Sequence, residues 1–269
     1  MPLTKYVFIQ DEGRYLTKVL DKYLREFADS TAGINLQPIT QARKSFAQTL
    51  MEFYKLYGPV YFAKKCWEQG SAKIMGKLVN GVLGSTKKCY SIPAVAKKYG
   101  VPVDGPCDVN SPEFLQKLRD KGVQFIVSIS GTQMYRKQLR EQTSHGIVNC
   151  HGALLPKYRG LMPSFWTLAN GEKEGGVSVH YVDAKLDNGP IIVQKRYRIW
   201  SHDTLEDVIA RSKDLAAECI IECVRKVEEA AAKNVPVETM ENDASQLTHF
   251  SMPTAEDVRR FRANGHRFF

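Results

Sequence analysis

Two short stretches of this chain bring together residue types that do carbonyl chemistry. In Gly146-Ile147-Val148-Asn149-Cys150-His151 an amide and an imidazole lie two residues apart at the end of an apolar run. An extended chain turns alternate side chains the same way, so Asn149 and His151 share one side. Downstream, Leu186-Asp187-Asn188-Gly189-Pro190 places a carboxylate in a tight turn immediately before the apolar Ile191–Val193. An amide donor, a titratable ring and a carboxylate at one sheet edge would suit nucleophilic attack on a carbonyl. Asn149 and a protonated His151 would stabilise the tetrahedral oxyanion, while Asp187 would hold His151 charged and take the proton that the nucleophile loses. Each residue also has a plain structural use: a loop histidine as a hydrogen-bonded fixture, Asp-Asn-Gly as a turn former, and asparagine as a cap.

Such groups need strands to carry them, and the pattern supplies strands alternating with helices. Lys5–Gln10 is a β-rich run, and Tyr15–Phe27 follows with Tyr15, Val19, Leu20, Tyr23, Leu24 and Phe27 at helical spacing. Gly33–Ile39 reads as a second strand. Helices are expected over Ile92–Tyr99, over Pro112–Lys121 behind a Ser111 or Asn110 cap, and over Arg136–Gln142, with a short Val101–Val103 strand among them. Val123–Ser130 is a nearly continuous apolar run, as expected of a strand covered on both faces. Gly146–Asn149 reads as a strand, and Gly176–Val182 and Pro190–Ile199 as strands with one solvated face. Asp203-Thr204-Leu205-Glu206 opens a long helix with Leu205, Val208, Ile209, Leu215, Cys219, Ile220 and Val224 on its buried stripe, and Thr254 caps a last short helix. The whole predicts an α/β fold with a mostly parallel sheet. In such sheets ligands bind beyond the carboxyl ends of the strands, where the two stretches above fall. There is no G-x-G-x-x-G and no P-loop; the first strand is followed by Asp11-Glu12-Gly13.

At these residues a family resemblance enters. The strings V-N-C-H-G-A-L-L-P-K-Y-R-G and G-V-S-V-H-Y-V-D-A-K-L-D-N-G-P-I-I resemble the signature of the folate-dependent formyltransferases, and the likeness runs from about Ile92 to Val227. The family includes glycinamide ribonucleotide transformylase, methionyl-tRNA formyltransferase and sugar N-formyltransferases. Its pattern of Asn-x-His and then Leu-Asp-x-Gly places Asn149, His151 and Asp187 on the catalytic Asn, His and Asp. The resemblance implies a Rossmann-like domain and 10-formyltetrahydrofolate as co-substrate, without a metal. The pterin would be held by two loops, Gly131-Thr132-Gln133-Met134 and Asp183-Ala184-Lys185-Leu186. His180, within the second motif, reads as structural. The family's common Ser after the His-x position is here Ala153. The implied reaction is formyl transfer to a primary amine, with a nucleotide-linked amino sugar favoured as a small anionic acceptor. Methionyl-tRNA formylation and 10-formyltetrahydrofolate hydrolysis are the alternatives. The hydrolases add an amino-terminal regulatory domain that the first 90 residues do not match, and the tRNA enzymes add a β-barrel for which the stretch after Pro236 is too short.

Composition sets the remaining bounds. The 269 residues carry 38 Lys+Arg against 29 Asp+Glu, a formal excess of +9. Residues 41–90 hold nine Lys or Arg against Glu52 and Glu68, so +7 of that excess sits in one stretch with no strand signal. Read as helical pieces over Ala42–Val82 broken at Gly58-Pro59 and near Gly70, it is expected as a basic insertion within a 1–235 catalytic domain, followed by a 236–269 extension. Its lysines alternate with aromatics. An amphipathic helix with aromatics in the core is one expectation; a surface for nucleic acid or a peripheral membrane contact, on a non-catalytic binding protein, is another. No apolar run approaches a bilayer span and no signal peptide is evident. Six cysteines without a C-x-x-C pair suggest a reducing, cytoplasmic setting, with Cys219 and Cys223 as core thiols. The oligomeric state is not readable.

Overall fold

The computed structural model describes residues 2–12, 14–38, 45–82, 84–85 and 87–269. Its strands are β1 (Lys5–Gln10), β2 (Thr31–Gln37), β3 (Val103–Asp104), β4 (Phe125–Ile129), β5 (Ile147–His151), β6 (Arg159–Gly160), β7 (Glu174–Tyr181), β8 (Ile191–Arg198) and β9 (His249–Phe250). Its α-helices are α1 (Leu16–Phe27), α2 (Phe46–Met75), α3 (Ile92–Lys98), α4 (Pro112–Asp120), α5 (Lys137–Arg140), α6 (Pro163–Ala169), α7 (Leu205–Lys233) and α8 (Ala255–Ala263). Seven strands form one sheet in the order β3-β2-β1-β4-β5-β7-β8, parallel from β3 to β5, with β7 antiparallel to both neighbours. The strand order reverses beside β1, and β4 and β5 lie just past that reversal. Ligands of doubly wound sheets sit at such a place.

The sheet is covered on both sides. One side packs Val7, Ile9, Val127 and Val179 against Leu20 and Leu24 of α1, Val95 of α3 and Ile220, Val224 and Val227 of α7. The other packs Tyr6, Phe8, Ile126 and Ile147 against Phe114, Leu115 and Leu118 of α4 and Leu139 of α5. This double cover explains why every residue of β4 is buried. Cys219 and Cys223 lie in the α7 side of the core, their thiols pushed up by burial, to about 12 for Cys219.

The expected elements occur in the expected order, the strand read at Val101–Val103 lying at Val103–Asp104, while α6, β6 and β9 have no counterpart in the sequence reading. Three further differences bear on the site and the basic stretch. β7 has no solvated face: residues 175–180 are all buried. One side meets α7, and the other meets the chain after His151, where a side chain on Gly176 would overlap Leu154. A glycine lets the two backbones approach so closely. In the basic stretch, Gly58 (φ 76°) kinks α2 ahead of Pro59, but Gly70 leaves it unbroken, and a π-helix continues over Gly76–Val82. Third, β5 extends to His151 rather than ending at Asn149, so both candidate residues lie on the strand itself. Ile39, the predicted helix start at Ala42, and Arg43 and Lys44 of the basic stretch lie outside the described residues.

α7 starts on a reciprocal capping box. The Asp207 N–H donates to Thr204 Oγ1 at 3.2 Å, and the Asp207 carboxylate accepts from the Thr204 N–H at 2.9 Å. Thr204→Ala is expected to lower unfolding free energy by about 1 kcal/mol. Urea denaturation would show it as a lower midpoint at unchanged slope, and an unchanged midpoint would contradict it.

Candidate active site

β4, β5 and β7 run side by side, and their register sets the site. Asn149 pairs with Ser128 on one side and His180 on the other, so these side chains share a face. His151, two residues on, shares it too. The Asp187 turn folds back over this edge with φ 48°, a left-handed conformation that Asp tolerates better than most residues.

Asn149 is fixed at one end and open at the other. Ser128 Oγ–H donates to Asn149 Oδ1 at 3.0 Å, and Ser128 in turn bonds the buried Tyr135 hydroxyl at 2.8 Å. The Asn149 amide therefore has its oxygen turned to Ser128 and its Nδ2 toward Asp187 Oδ1 (3.4 Å) and His180 Nε2 (3.5 Å). Both contacts are long, so the Nδ2 donors remain available for a stronger acceptor.

His151 and Asp187 are buried, at 6% and 7% exposure. His151 Nε2 lies 2.7 Å from the Tyr158 carbonyl, which can only accept, so Nε2 carries hydrogen. Nδ1 faces Asp187 Oδ2 at 3.6 Å, and His180 Nε2 faces Oδ1 at 3.6 Å. Burial pushes the His151 imidazole below its ordinary value, more strongly than Asp187 and the Tyr158 bond pull it up. Burial thus works against the charge that the sequence reading has Asp187 holding on the ring. Burial opposes ionisation of Asp187 as well, but His151, His180 and the Gly160 N–H, which donates to Oδ2 at 3.0 Å, outweigh it and hold the carboxyl well below the usual range.

The Asp187 turn is braced by groups that spacing alone did not single out. Arg159, 2% exposed, donates to Asn188 Oδ1 (2.7 Å) and to Asn242 Oδ1 (2.9 Å), and its Nε has no acceptor among the described residues. Asn242 Nδ2 donates to the Asp187 and Gly189 carbonyls, both at 3.0 Å. Farther along the same segment, β9 pairs with β6, the Arg159 N–H donates to the Thr248 carbonyl (2.9 Å), and the Tyr158 N–H donates to Thr248 Oγ1 (2.8 Å). The segment after residue 236 thus grips both loops that carry the polar groups.

The two loops expected to hold a pterin flank this edge. Gly131 follows β4, and a side chain there would overlap Ser128 Oγ and the Tyr135 hydroxyl. The Thr132 N–H donates to Gln37 Oε1 (2.7 Å), the Gln133 side chain ties to Val109 and Cys107, and Met134 is exposed. In the second loop Asp183 accepts from the Lys185 N–H and from Asn188 Nδ2, both at 2.9 Å, Ala184 lies between them and Leu186 is exposed. Exposed apolar side chains next to fixed backbone suit a flat heteroaromatic ring. Among the described residues no His, Cys, Asp and Glu group has the arrangement of a metal site.

A doubly wound α/β protein with its polar site at the carboxyl edge, beside the reversal of strand order, is the class these features define. Within that class the chain belongs to the formyl transferase family, whose model matches residues 88–224, just over half of it. It is 33% identical over 189 residues to a methionyl-tRNA formyltransferase of Kosmotoga olearia, a match covering 69% of this chain and 59% of that protein. A methionyl-tRNA formyltransferase of Thermodesulfovibrio yellowstonii is 35% identical over 144 residues, 54% of this chain and 47% of the relative. The chain thus spans well under two thirds of the length of these relatives. Solved structures share the fold. An N-formyltransferase of Helicobacter canadensis, in complex with folinic acid and dTDP-3-aminofucose, superposes with TM-score 0.58 at 16% identity, over 97% of this chain and 80% of that one. Phosphoribosylglycinamide formyltransferase of Anaplasma phagocytophilum gives 0.58 at 18% identity, over 93% and 100%.

Proposed function

We propose that this protein transfers a formyl group from 10-formyltetrahydrofolate to a primary amine. The observation that carries the reading is the convergence of Asn149, His151 and Asp187 at one buried edge, with His151 Nδ1 facing Asp187 at 3.6 Å. The folate supplies the formyl carbon, and the loops at 131–134 and 183–186 would hold its ring. The amine nitrogen attacks that carbon, and Asn149 Nδ2 donates to the oxygen as negative charge gathers there. The amine proton passes to His151 Nδ1, directly or through a water. The imidazolium that results is stabilised by Asp187 on one nitrogen and by the Tyr158 carbonyl on the other, and it returns the proton to the folate N10 as the bond from N10 to the formyl carbon breaks, releasing tetrahydrofolate and the formylated amine. A neutral resting His151 is what this role requires.

For the acceptor we favour a nucleotide-linked amino sugar. Methionyl-tRNA is the second reading, supported by the sequence relatives that carry that activity in their names. The deciding experiment offers 10-formyltetrahydrofolate with a panel of sugar-nucleotide amines, glycinamide ribonucleotide or methionyl-tRNA, and reads tetrahydrofolate release. Release without acceptor at the same rate would make the protein a hydrolase; no release with any acceptor would reject the reading.

With His151 as the proton acceptor, activity should fall as acid protonates it. Because burial lowers its pKa, the acid limb of the kcat profile should lie below the ordinary imidazole value, with a plateau through neutrality. A limb centred at or above the ordinary value would contradict a buried His151 as base.

A further inference from the structure

The basic stretch is the largest part of the chain that the site does not use, and its two faces differ. Inward, Leu56 and Tyr61 are buried, with Tyr61 stacked on Phe269 and tilted against Phe268. The Tyr61 hydroxyl donates to Glu206, which also pairs with Lys65, while Glu68 pairs with Arg14 at 2.6 Å. Arg14 precedes α1 and Glu206 lies in the first turn of α7. These contacts seat α2 at the carboxyl edge of the sheet, the edge that holds Asn149 and His151.

Outward, the side chains are apolar where a helix surface normally is not. Val60 is 72% exposed, Trp67 77% and Ile74 68%, at successive seven-residue intervals that keep them on one stripe. Leu78 and Val82 (79%) extend the stripe along the π-helix. Lys73 and Lys77 are exposed on the flank of the stripe next to Ile74 and Leu78, and Lys55, Lys87 and Lys88 are exposed elsewhere in the stretch. Of the two acids in the stretch, Glu68 is turned inward. The expectation that aromatics enter the core therefore holds for Tyr61 and fails for Trp67, while the exposed Lys73 and Lys77 face water as expected.

We propose that this outer face docks the protein on an anionic lipid bilayer, with Val60, Trp67, Ile74, Leu78 and Val82 in the headgroup region and the lysines against lipid phosphates. Apolar area and cations on one helix face are the two requirements of an interfacial helix, and tryptophan suits the boundary. The charge argues against other occupants. A second copy docked face to face across a two-fold axis would oppose lysine to lysine. Nucleic acid would use the lysines but offers nothing to aliphatic Val60, Ile74, Leu78 and Val82, which do not stack on bases. No helix among the described residues is long and apolar enough to cross a membrane, so the contact is peripheral.

The test is flotation of the full chain with vesicles of phosphatidylcholine alone, or with about three parts in ten phosphatidylserine. Binding is expected with the anionic vesicles, falling as salt rises, and the emission lost in Trp67→Phe should be the part that shifts to the blue. Each lysine near the surface contributes about fivefold to partitioning, so Lys73→Glu with Lys77→Glu should weaken it at least tenfold or so. Trp67→Ser with Ile74→Ser should also release the protein, while circular dichroism stays unchanged because these side chains are exposed. Absence of flotation overturns the proposal, as does flotation that both double variants leave intact. Lysine-dependent binding to RNA without vesicle binding would make the face a nucleic-acid surface. A concentration-dependent dimer, broken by the Trp67→Ser and Ile74→Ser changes and indifferent to lipid, would make it a self-contact; either result overturns the lipid assignment.

Discussion

Asp187→Asn should lower kcat about 10³-fold or more while leaving the fold intact. The replacement keeps size and shape, Asn accepts the left-handed φ of 48°, and its side-chain oxygen can still accept from the Gly160 N–H. The charge is lost, together with one acceptor oxygen toward Asn149 Nδ2 and His180, and in the proposed reaction that charge stabilises the imidazolium at the adjacent ring nitrogen. Without it His151 loses the strongest influence raising its pKa in a site whose burial already disfavours the charged form. Single-turnover formyl transfer with far-ultraviolet circular dichroism checks the prediction. A variant that keeps more than about a tenth of the activity would remove Asp187 from the chemistry.

Arg159→Met should cost about 3 kcal/mol of unfolding free energy, measured by urea denaturation. The guanidinium is buried, and its charge is desolvated and held by two amide oxygens, with Asp187 and Asp183 compensating at longer range. Methionine fills much of the volume but leaves the Asn188 and Asn242 oxygens without donors. It also removes a nearby positive charge from the two acids. A loss under about 1 kcal/mol would mean the brace is not coupled to the fold. Acid should narrow the deficit: the native state holds the Asp187 carboxyl below its unfolded value, so the stability it contributes, including its attraction to Arg159 that the variant lacks, is present above the unfolded pKa and is lost as pH falls through that range and below.

Much of the site was legible because strand periodicity is strict. Asn149 and His151 at positions i and i+2 had to share a face, and β5 put them there. Asp187 was legible as a turn residue ahead of an apolar strand. His180 reads as structural in sequence because nothing local ties it to the site; only the pairing of β7 with β5 sets it opposite Asn149. Ser128 was equally hidden, as one small polar residue in an apolar run, and its use is a cross-strand bond to Asn149. Arg159 and Asn242 are 83 residues apart, and no pattern of period two or 3.6 can relate them. The solvated face expected of β7 failed for a similar reason. Its cover comes from α7 and from the loop after His151, neither of which leaves a mark on the strand's own alternation. The basic stretch was legible as helical and charged, but which face it turns outward depends on Glu206 and Arg14, far from it in sequence.

The grip of Asn242 and Thr248 on the Asp187 and Tyr158 loops has a consequence in time. During synthesis β4, β5 and β7 can pair, and Asn149, His151 and Asp187 can emerge, well before the segment that braces them leaves the ribosome. A partly made chain would then have its sheet while the Asp187 turn still lacked its anchors. The last step of assembly at this edge is therefore the arrival of Asn242 and Thr248, whose side chains complete the hydrogen bonds of the Asp187 and Tyr158 loops.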